Sequence, residues 1–551
     1  MTKHKRIMAV LAAMSVVMMS IPFLVPHLGI LSLFGLVPLL CMEFIGTQTG
    51  VKRMWLWHYS VFVMWNAVTT FWVCNATVGG GIFACLANAL QMSVIFGLFR
   101  WSRKVLKGIL PYIFLAFLWI AWERYYLTVA QISWPWLVLG NSFARTVSLV
   151  QWYEFTGTLG GSLWIWTCNI WLFSLMLGLA SGKLLDMNWK GRAASVAGYV
   201  LMLAGPVALS LAMYCNYNEK PSGTLETLVL QPDFDPYQKF QSLSQAQQNA
   251  ILIDLMDKGL KDRKGDGMLL ALAPETFTGD IVLGRLESSP TWRRFTSYLK
   301  DKPGVNLMFG ASTYEYTMSD TAPSKTVRSL GENRWVQSRN SALIVDSSAT
   351  AQIYHKSKLV VGVEMTPYPA LFTKLDDLLG GVMGRCAGQD EVALLDCVQR
   401  DTCGNVTRRV PVGCAICYES VYPEHCAEYV RKGAQVLTVI TNDAWWGNTP
   451  GYKQHLSYAA LRAIETRRWI ARSANTGISA VISSRGDIVR KSSWWEREWM
   501  NADVNLNEGE TFFVKYGDIT GRICSFMAVL LLLGVAVRAF VRKRDNPVQK
   551  G

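Results

Sequence analysis

The sequence predicts a multi-span α-helical membrane bundle of eight transmembrane helices, with an exported α/β domain inserted before the last helix. Of its 551 residues, 51% are hydrophobic, only 17% are charged and 22 are tryptophan. That composition is too apolar for an ordinary soluble chain and is typical of membrane spans flanked by aromatic belts. Apolar runs of about 20 residues, the length that crosses a bilayer, recur along the chain. The expected spans are 7–25, 28–47, 54–76, 79–99, 108–127, 162–181, 193–214 and 522–540.

The long segment between the last two expected spans has the composition of a globular domain. We therefore divide the chain into a membrane domain at 1–215, an exported domain at 216–518, and a C-terminal span with a basic tail at 519–551. Continuous apolar runs such as "TLVLQP", "MLLALAPE" and "QVLTVITND" predict strands that are covered on both faces. Helical stretches at 241–262 and 453–474 alternate with them, which predicts a layered α/β domain.

The basic residues predict the orientation of the spans. The net charge is +14, and the basic residues concentrate in loops that share one side of the membrane if eight spans alternate. The positive-inside rule places that side, and both termini, in the cytoplasm. The exported domain then faces the periplasm of a two-membrane bacterium. No basic stripe interleaved with aromatics predicts nucleic-acid binding. The basic loop residues are Lys3, Lys5, Arg6, Lys52, Arg53, Arg100, Arg103, Lys104, Lys107, Lys183, Lys190, Arg192, Arg542, Lys543 and Arg544.

Three strand-like runs of the exported domain end in residues with complementary chemistry. Glu275 follows "LALAP", Lys356 follows "IYH", and Cys417 follows "GCAI". Side chains at the ends of neighbouring strands can converge on one pocket. A thiol needs a base or a nearby cation to become a nucleophile, and an amine can stabilise the oxyanion that follows attack. Each residue also has a plain structural interpretation, as a core thiol or a solvated strand-end charge.

The stretch "VPVGCAICYES" contains a formal CxxC spacing between Cys414 and Cys417. Such a pair is a redox or metal motif, two core residues, or a nucleophile beside a core residue. Alternation along a strand places the two thiols on opposite faces, which argues against a redox pair. With six histidines and no HExxH or paired CxxC arrangement, the sequence predicts no metal site and no cofactor.

The local sequences "APE", "YHK" and "CYE" resemble the nitrilase, or carbon–nitrogen hydrolase, superfamily. Four longer runs resemble the apolipoprotein N-acyltransferase family within it, and the resemblance extends over nearly the whole chain. It implies an αββα sandwich for the exported domain, with Glu275 as general base, Lys356 as the oxyanion-stabilising residue and Cys417 as nucleophile. The four runs are "ICYES", "TNDAWWG", "RAIETRRWIARSANTGISAVIS" and "SWPWLVLGN".

The same resemblance assigns supporting residues around these three. Glu364 matches a second acidic residue of the site, although "VVGVE" stands here in place of the family's usual Pro-Phe-Gly-Glu. Tyr418 and Glu419 match the residues that follow the nucleophile. The aromatic candidates for contact with lipid are Trp445 and Trp446 in the "NDAWWG" loop, together with Phe240 near the first strand of the domain.

Further candidates lie where the fifth expected span meets its outer loop. Glu123 and Arg124 are ionisable residues at membrane depth, so they are either functional or simply interfacial, with Arg124 reaching toward the headgroups. Trp134 and Trp136 in the apolar loop either help to seat acyl chains or belong to the aromatic belt. Three further cysteines allow two alternatives in an oxidising compartment: two of them form a disulfide, or all three are free thiols. They are Cys386, Cys397 and Cys403.

The resemblance implies a two-step acyl transfer. Cys417 would take an acyl chain from a membrane phospholipid, typically phosphatidylethanolamine, and hold it as a thioester. The α-amino group of a lipoprotein's diacylglyceryl-cysteine would then accept it in the last step of bacterial lipoprotein maturation. The alternatives are a membrane-tethered amidase of the nitrilase type and a non-catalytic receptor or transporter. The sequence shows no internal repeat or Gly/Pro-broken helix pair that would favour a transporter.

Overall fold

The computed structural model describes residues 3–236, 243–263, 265–370, 372 and 384–545. The chain divides into two units, of which the first comprises Met1–Tyr217 with Tyr516–Gly551 and the second Asn218–Lys515. The candidate residue Phe240 lies outside the described residues.

The first unit is built from long apolar helices. Six helices among the described residues are long and apolar enough to cross a membrane, and they coincide with six of the eight expected spans. The other two expected spans correspond to the helices Met54–Thr70, which has 17 residues, and Leu110–Thr128, whose polar end lowers its mean hydropathy. The structure thus supports a multi-span bundle and six of its eight expected spans. The six are Lys3–Leu24, Gly29–Gln48, Val78–Ser102, Tyr153–Ala180, Trp189–Cys215 and Ile519–Arg542.

The second unit contains two β-sheets in its described residues. The first sheet has the strand order β14-β1-β2-β4-β6-β5, with β3 beside β4 and β7 beside β6, and the second has the order β13-β12-β11-β10-β9-β8. The strands are β1 Gly223–Gln231, β2 Leu269–Leu272, β3 Thr278–Val282, β4 Val305–Met318, β5 Arg328–Gly331, β6 Arg334–Val345, β7 Ala351–His355, β8 Leu394–Arg400, β9 Val406–Ile416, β10 Val436–Thr441, β11 Ile470–Ala474, β12 Ala480–Ile482, β13 Ile488–Lys491 and β14 Glu498–Leu506.

Parallel strands form the centre of each sheet. Strands β1, β2 and β4 run parallel in the first sheet, and β9, β10 and β11 run parallel in the second. Every residue of β2, β10 and β11 is buried. Parallel sheets need cover on both faces, which explains why β2 and β10 are largely apolar in the sequence.

The two sheets pack face to face between two layers of helices. Ser473 Oγ of β11 donates to the carbonyl of Leu230 in β1 at 2.7 Å, which joins the sheets directly. The helices Gln245–Lys261 and Pro290–Leu299 bury Met256, Trp292 and other apolar side chains against the first sheet. The helices Pro423–Arg431 and Pro450–Thr466 lie on the second. This α–β–β–α order is the layered architecture expected from the sequence.

The helix expected at 453–474 is wrong in its last part. The helix runs from Pro450 to Thr466, and residues 470–474 form strand β11. Arg467 adopts a left-handed conformation with φ of 49°, which ends the helix because further turns require right-handed backbone.

Candidate active site

Glu275 lies three residues beyond β2, where the chain turns sharply. Its carboxylate is 7% exposed. Asn340 Nδ2 donates to its Oε1 at 2.8 Å, and the backbone N–H of Asn442 donates to its Oε2 at 3.2 Å. The next residue, Thr276, has a φ of 46°, which is costly for a β-branched side chain. The backbone is thus held in an unusual conformation that aims the carboxylate inward.

Gly310 in β4 permits this turn by its lack of a side chain. A Cβ at position 310 would lie 2.5 Å from Glu275 Cα and 2.6 Å from the nitrogen of Thr276. Both atoms belong to the backbone, so they cannot rotate away.

We expect Gly310→Ala to displace Glu275 and to destabilise the second unit by about 1–3 kcal/mol, the usual cost of overpacking. The reactivity of the Cys417 thiol should fall at least about tenfold, because a small displacement of a neighbouring reacting group is costly. Gly279→Ala in β3 is the matched control, since no atom lies within 4 Å of the Cβ it would add. Thermal melting and the rate at which iodoacetamide alkylates Cys417 compare the two variants, and equal behaviour would contradict the expected steric clash.

Lys356 follows β7 and lies between two carboxylates. Its Nζ donates to Glu275 Oε1 at 3.1 Å and to Glu364 Oε1 at 3.0 Å. The side chain of Lys356 is 1% exposed. Asn340 Nδ2 bridges the same two oxygens, and the N–H of Val360 holds Glu364 Oε2 at 2.7 Å. The structure therefore brings Glu275, Lys356 and Glu364 together as one hydrogen-bonded group.

The charges of the two carboxylates determine the protonation state of Lys356. Burial acts to lower the pKa of Lys356, but the neighbouring charges of Glu275 and Glu364 outweigh it, and the pKa lies well above its usual value. Lys356 therefore stays a cation throughout the physiological range. A fixed buried cation is suited to stabilise negative charge that develops beside it.

Cys417 lies just beyond β9, which ends at Ile416. The prediction that Cys414 and Cys417 share one strand is wrong, because only Cys414 lies in β9, where it is fully buried. Cys417 begins a short 3₁₀ turn with a φ of 52°, in the left-handed region. Such a conformation costs about 1–3 kcal/mol for a non-glycine residue and is frequent at functional sites.

The thiol of Cys417 interacts electrostatically with both Glu275 and Lys356. Burial raises its pKa, the charge of Glu275 raises it further, and the charge of Lys356 acts in the opposite direction. The resulting pKa lies well above the usual value, so the resting residue is a neutral thiol. It can react as a nucleophile only when a base removes its proton during the attack.

Glu419 joins the turn of Cys417 to the chain that carries Lys356. Its fully buried carboxylate accepts hydrogen bonds from the N–H of Ile416 at 2.8 Å, of Ser357 at 2.6 Å and of Lys358 at 3.1 Å. Burial acts to raise the pKa of Glu419, but His425 and these bonds lower it below its usual value. Glu419 is therefore an ionised carboxylate that links the chain after β9 to the chain after β7.

The three aromatic candidates near the thiol have different surroundings. Tyr418 is buried and packs its ring against Tyr422, with centroids 5.1 Å apart. Trp446 packs edge-on against His455 at 5.6 Å, whereas Trp445 is 39% exposed. Of the tryptophan pair in the "NDAWWG" loop, only Trp445 presents much of its indole to the surroundings.

The candidates in the first unit are mostly buried. Glu123 accepts from Trp119 Nε1 at 3.0 Å and from the N–H of Leu139 at 2.8 Å, so it anchors the apolar loop to the helix Leu110–Thr128. Trp136 is 1% exposed, and it stacks on Trp134 with ring centroids 5.1 Å apart. Glu123 and Trp136 are thus buried inside the unit, and Trp134 is half-buried.

Arg124 differs from Glu123 because it is partly exposed. Its Nε lies 3.7 Å from Asp518 Oδ2, next to the last long helix. It also lines a cavity of about 290 Å³ between the helices Leu110–Thr128 and Ile519–Asp545, whose other lining residues are mainly apolar. Of the four candidates in this region, Arg124 has the most open surroundings.

Sequence reasoning missed the buried polar residues that support the site. Asn340 lies within β6 beside an apolar run, where nothing marks it as a partner of two carboxylates. Asp443, His455 and Arg472 form a hydrogen-bonded cluster behind the nucleophile turn. Asp443 had a usable signal, because it follows the buried strand β10 closely, as Glu275 follows β2.

The cysteines form no disulfide in this structure. All twelve lie among the described residues, and each is a free thiol. Cys386 is half-buried, Cys397 is buried in β8 and Cys403 is exposed. The described residues also contain no group of three or more His, Cys, Asp or Glu side chains placed to hold a metal ion.

Comparison with known proteins places this geometry in a family. Residues 324–512 match the family of carbon–nitrogen hydrolases, and residues 15–171 match the apolipoprotein N-acyltransferase N-terminal domain. The apolipoprotein N-acyltransferase of Chlorobaculum tepidum is 28% identical over 93% of each chain. That of Geobacter metallireducens is 27% identical over 97% of this chain and 95% of its own. The crystal structure of Nit3 from Saccharomyces cerevisiae, of the nitrilase superfamily, is 14% identical, covers 52% of this chain and 92% of its own, and has a TM-score of 0.37.

The buried Glu–Lys–Glu group and the strained cysteine thus belong to a nitrilase-superfamily enzyme. Within that superfamily, the chain belongs to the apolipoprotein N-acyltransferase family, and it is an acyltransferase.

Proposed function

We propose that this enzyme transfers an acyl chain from a membrane phospholipid to the α-amino group of an apolipoprotein's N-terminal diacylglyceryl-cysteine, through a thioester on Cys417. The observation that carries the proposal is the position of Lys356, a buried cation held between Glu275 and Glu364 and in electrostatic contact with the thiol. A neutral thiol, a carboxylate and a fixed cation together supply a nucleophile, a base and oxyanion stabilisation.

The first step forms the thioester. Glu275 takes the proton of the Cys417 thiol as the sulfur attacks the ester carbonyl of the phospholipid. The C–S bond forms, and the carbonyl oxygen becomes an oxyanion that Lys356 stabilises. The ester C–O bond then breaks, and the proton on Glu275 passes to the departing oxygen, which leaves as the alcohol of a lysophospholipid.

The second step transfers the chain to nitrogen. The free α-amino group of the diacylglyceryl-cysteine attacks the thioester carbonyl and gives a proton to Glu275. The N–C bond forms, the C–S bond breaks, and the proton returns to the sulfur of Cys417. The burial of Lys356 and Glu275 helps to keep water from the thioester, which would otherwise hydrolyse.

The membrane topology is part of the same proposal. We infer eight spans, by adding the helices Met54–Thr70 and Leu110–Thr128 to the six long apolar helices. The positive-inside rule then puts both termini in the cytoplasm of a bacterial inner membrane and a catalytic domain at 216–518 in the periplasm. Phosphatidylethanolamine is the acyl donor we infer, and both substrates are then anchored in one membrane, which raises their effective concentration.

The test uses the purified full-length chain with phosphatidylethanolamine alone. We expect mass spectrometry to find one acyl chain on the peptide that contains Cys417, with release of lysophospholipid. The control is Cys417→Ala, which should carry no acyl chain. Adding a synthetic diacylglyceryl-cysteine peptide should then discharge the adduct and yield the N-acylated peptide.

Other outcomes would contradict the proposal in different ways. No adduct on wild-type chain, or an adduct that persists in Cys417→Ala, would refute the thioester. Discharge of the adduct to free fatty acid without N-acylated peptide would indicate an amidase-type hydrolase instead. Binding of lipid without any covalent change would indicate a receptor.

A further inference from the structure

Behind the turn of Cys417 lies a buried cluster of charged residues that the reaction above does not use. Asp443 accepts from Arg472 Nη2 at 2.5 Å, and its other carboxylate oxygen lies 2.9 Å from His455 Nδ1. Asp443, His455 and Arg472 have no exposed surface. Burial acts to raise the pKa of Asp443, but the charges of Arg472 and His455 lower it to about 2. An ionised carboxylate therefore fixes the imidazole ring from one side.

The other ring nitrogen of His455 points at the nucleophile's backbone. His455 Nε2 lies 3.1 Å from the carbonyl oxygen of Cys417 and 3.0 Å from Ser420 Oγ. A carbonyl oxygen and an ionised carboxylate can only accept, so this arrangement requires a hydrogen on both Nε2 and Nδ1 of the ring. Ser420 Oγ donates to the same carbonyl at 2.8 Å. The carbonyl of Cys417 therefore receives two donors from buried side chains.

These donors act on the strained residue of the site. Cys417 has a φ of 52°, and a non-glycine residue keeps that conformation only when its surroundings hold it there. The direction of a residue's Cα–Cβ bond follows from its backbone dihedrals. Holding the carbonyl thus holds the thiol in the direction of Glu275 and Lys356.

We propose that His455 is a positioning residue, which holds the backbone carbonyl of Cys417 through its Nε2–H so that the thiol points at Glu275 and Lys356. Asp443 and Arg472 orient the ring from behind. The hydrogen bond from His455 reaches the backbone carbonyl of Cys417, so His455 acts through the backbone of Cys417.

This inference rests on the proposed function, because it assumes that Cys417 is the nucleophile. Substitutions that mimic one ring nitrogen at a time distinguish a positioning role of His455 from a purely structural role of the cluster. Glutamine at position 455 would place an amide donor near the position of Nε2, whereas asparagine would place one near Nδ1. His455→Gln thus keeps the bond to Cys417, and His455→Asn keeps the bond to Asp443. Each variant therefore loses the contacts of one ring nitrogen and keeps a donor near the other.

The experiment compares these variants as full-length enzymes with phosphatidylethanolamine as acyl donor. We expect His455→Asn to lower kcat for acylation of Cys417 by about 10–100-fold, with KM for lipid changed by less than about threefold. His455→Gln should stay within about fivefold of the wild-type kcat. Iodoacetamide alkylation of Cys417 provides a second rate that does not depend on lipid, and thermal melting reports on folding.

Each result decides between the roles. Equal losses in both variants, at equal melting temperature, would overturn the positioning role and leave a structural one. If His455→Asn does not fold, Ser420→Ala carries the test, because it removes the other donor to the same carbonyl; an unchanged kcat there would overturn the inference. If the wild-type enzyme forms no acyl adduct, the proposed function fails, and the alkylation rates of the variants still decide whether His455 positions the thiol.

Discussion

Replacing Glu275 with glutamine is expected to slow acylation of Cys417 by about 10²–10⁴-fold, the usual contribution of a positioned general base. The amide has nearly the same shape as the carboxylate and can still accept from Asn340 Nδ2, but it cannot take the thiol proton. Burial and the charge of Glu275 keep the thiol neutral at rest, so little thiolate forms without that base. Stopped-time mass spectrometry of the Cys417 adduct would measure the rate.

Glu364→Gln is the matched control for this variant. Both carboxylates accept from Lys356 Nζ and from Asn340 Nδ2 at similar distances, so each substitution removes one charge beside the same lysine. After burial, the charge of Glu275 is the largest cause of the raised pKa of the thiol. We expect Glu364→Gln to slow acylation at least about tenfold less. Equal losses would show that the charge beside Lys356 matters, and that Glu275 has no separate role as a base.

Replacing Lys356 with methionine is expected to give the largest combined effect on activity and stability. Acylation should fall by about 10²–10³-fold through loss of oxyanion stabilisation. Removing one partner of a buried ion pair typically costs about 3–5 kcal/mol, because the other charge stays buried without a counter-ion. Here two carboxylates would face each other across Asn340. A thermal melt of the detergent-solubilised chain should show a clear fall in Tm.

A second substitution separates the two effects. In Lys356→Met with Glu364→Gln, one carboxylate remains, and Asn340 and the N–H of Asn442 still bond it. We expect the double variant to regain most of the lost Tm but none of the lost acylation. A Tm at or below that of Lys356→Met would mean that carboxylate repulsion is not the cause of the instability.

The sequence predicted the layered domain and the position of two of its reactive residues for one physical reason. Parallel buried strands are apolar runs, and a polar residue at the end of such a run is conspicuous. Glu275 and Cys417 follow parallel strands of this kind, β2 and β9. Lys356 instead follows β7, which is antiparallel to β6 and only partly buried, yet the structure brings it together with Glu275. Their catalytic roles stay predictions until the variants above are measured.

Other parts of the site could not be predicted because their signals are not local. The cluster of Asp443, His455 and Arg472 draws on a turn, a helix and a strand, and in the sequence each member resembles an ordinary solvated charge. The end of the helix at Thr466 depends on the backbone of Arg467, a residue type that ordinarily continues a helix. Tertiary packing decides both features, and a single sequence does not display it.

The neutral state of Cys417 has a consequence for how the enzyme tolerates its surroundings. Peroxides and disulfides react with thiolates, and a thiol that keeps its proton reacts with them slowly. Because burial and Glu275 raise the pKa of Cys417, we expect the resting thiol to react slowly with peroxides compared with an exposed cysteine such as Cys403.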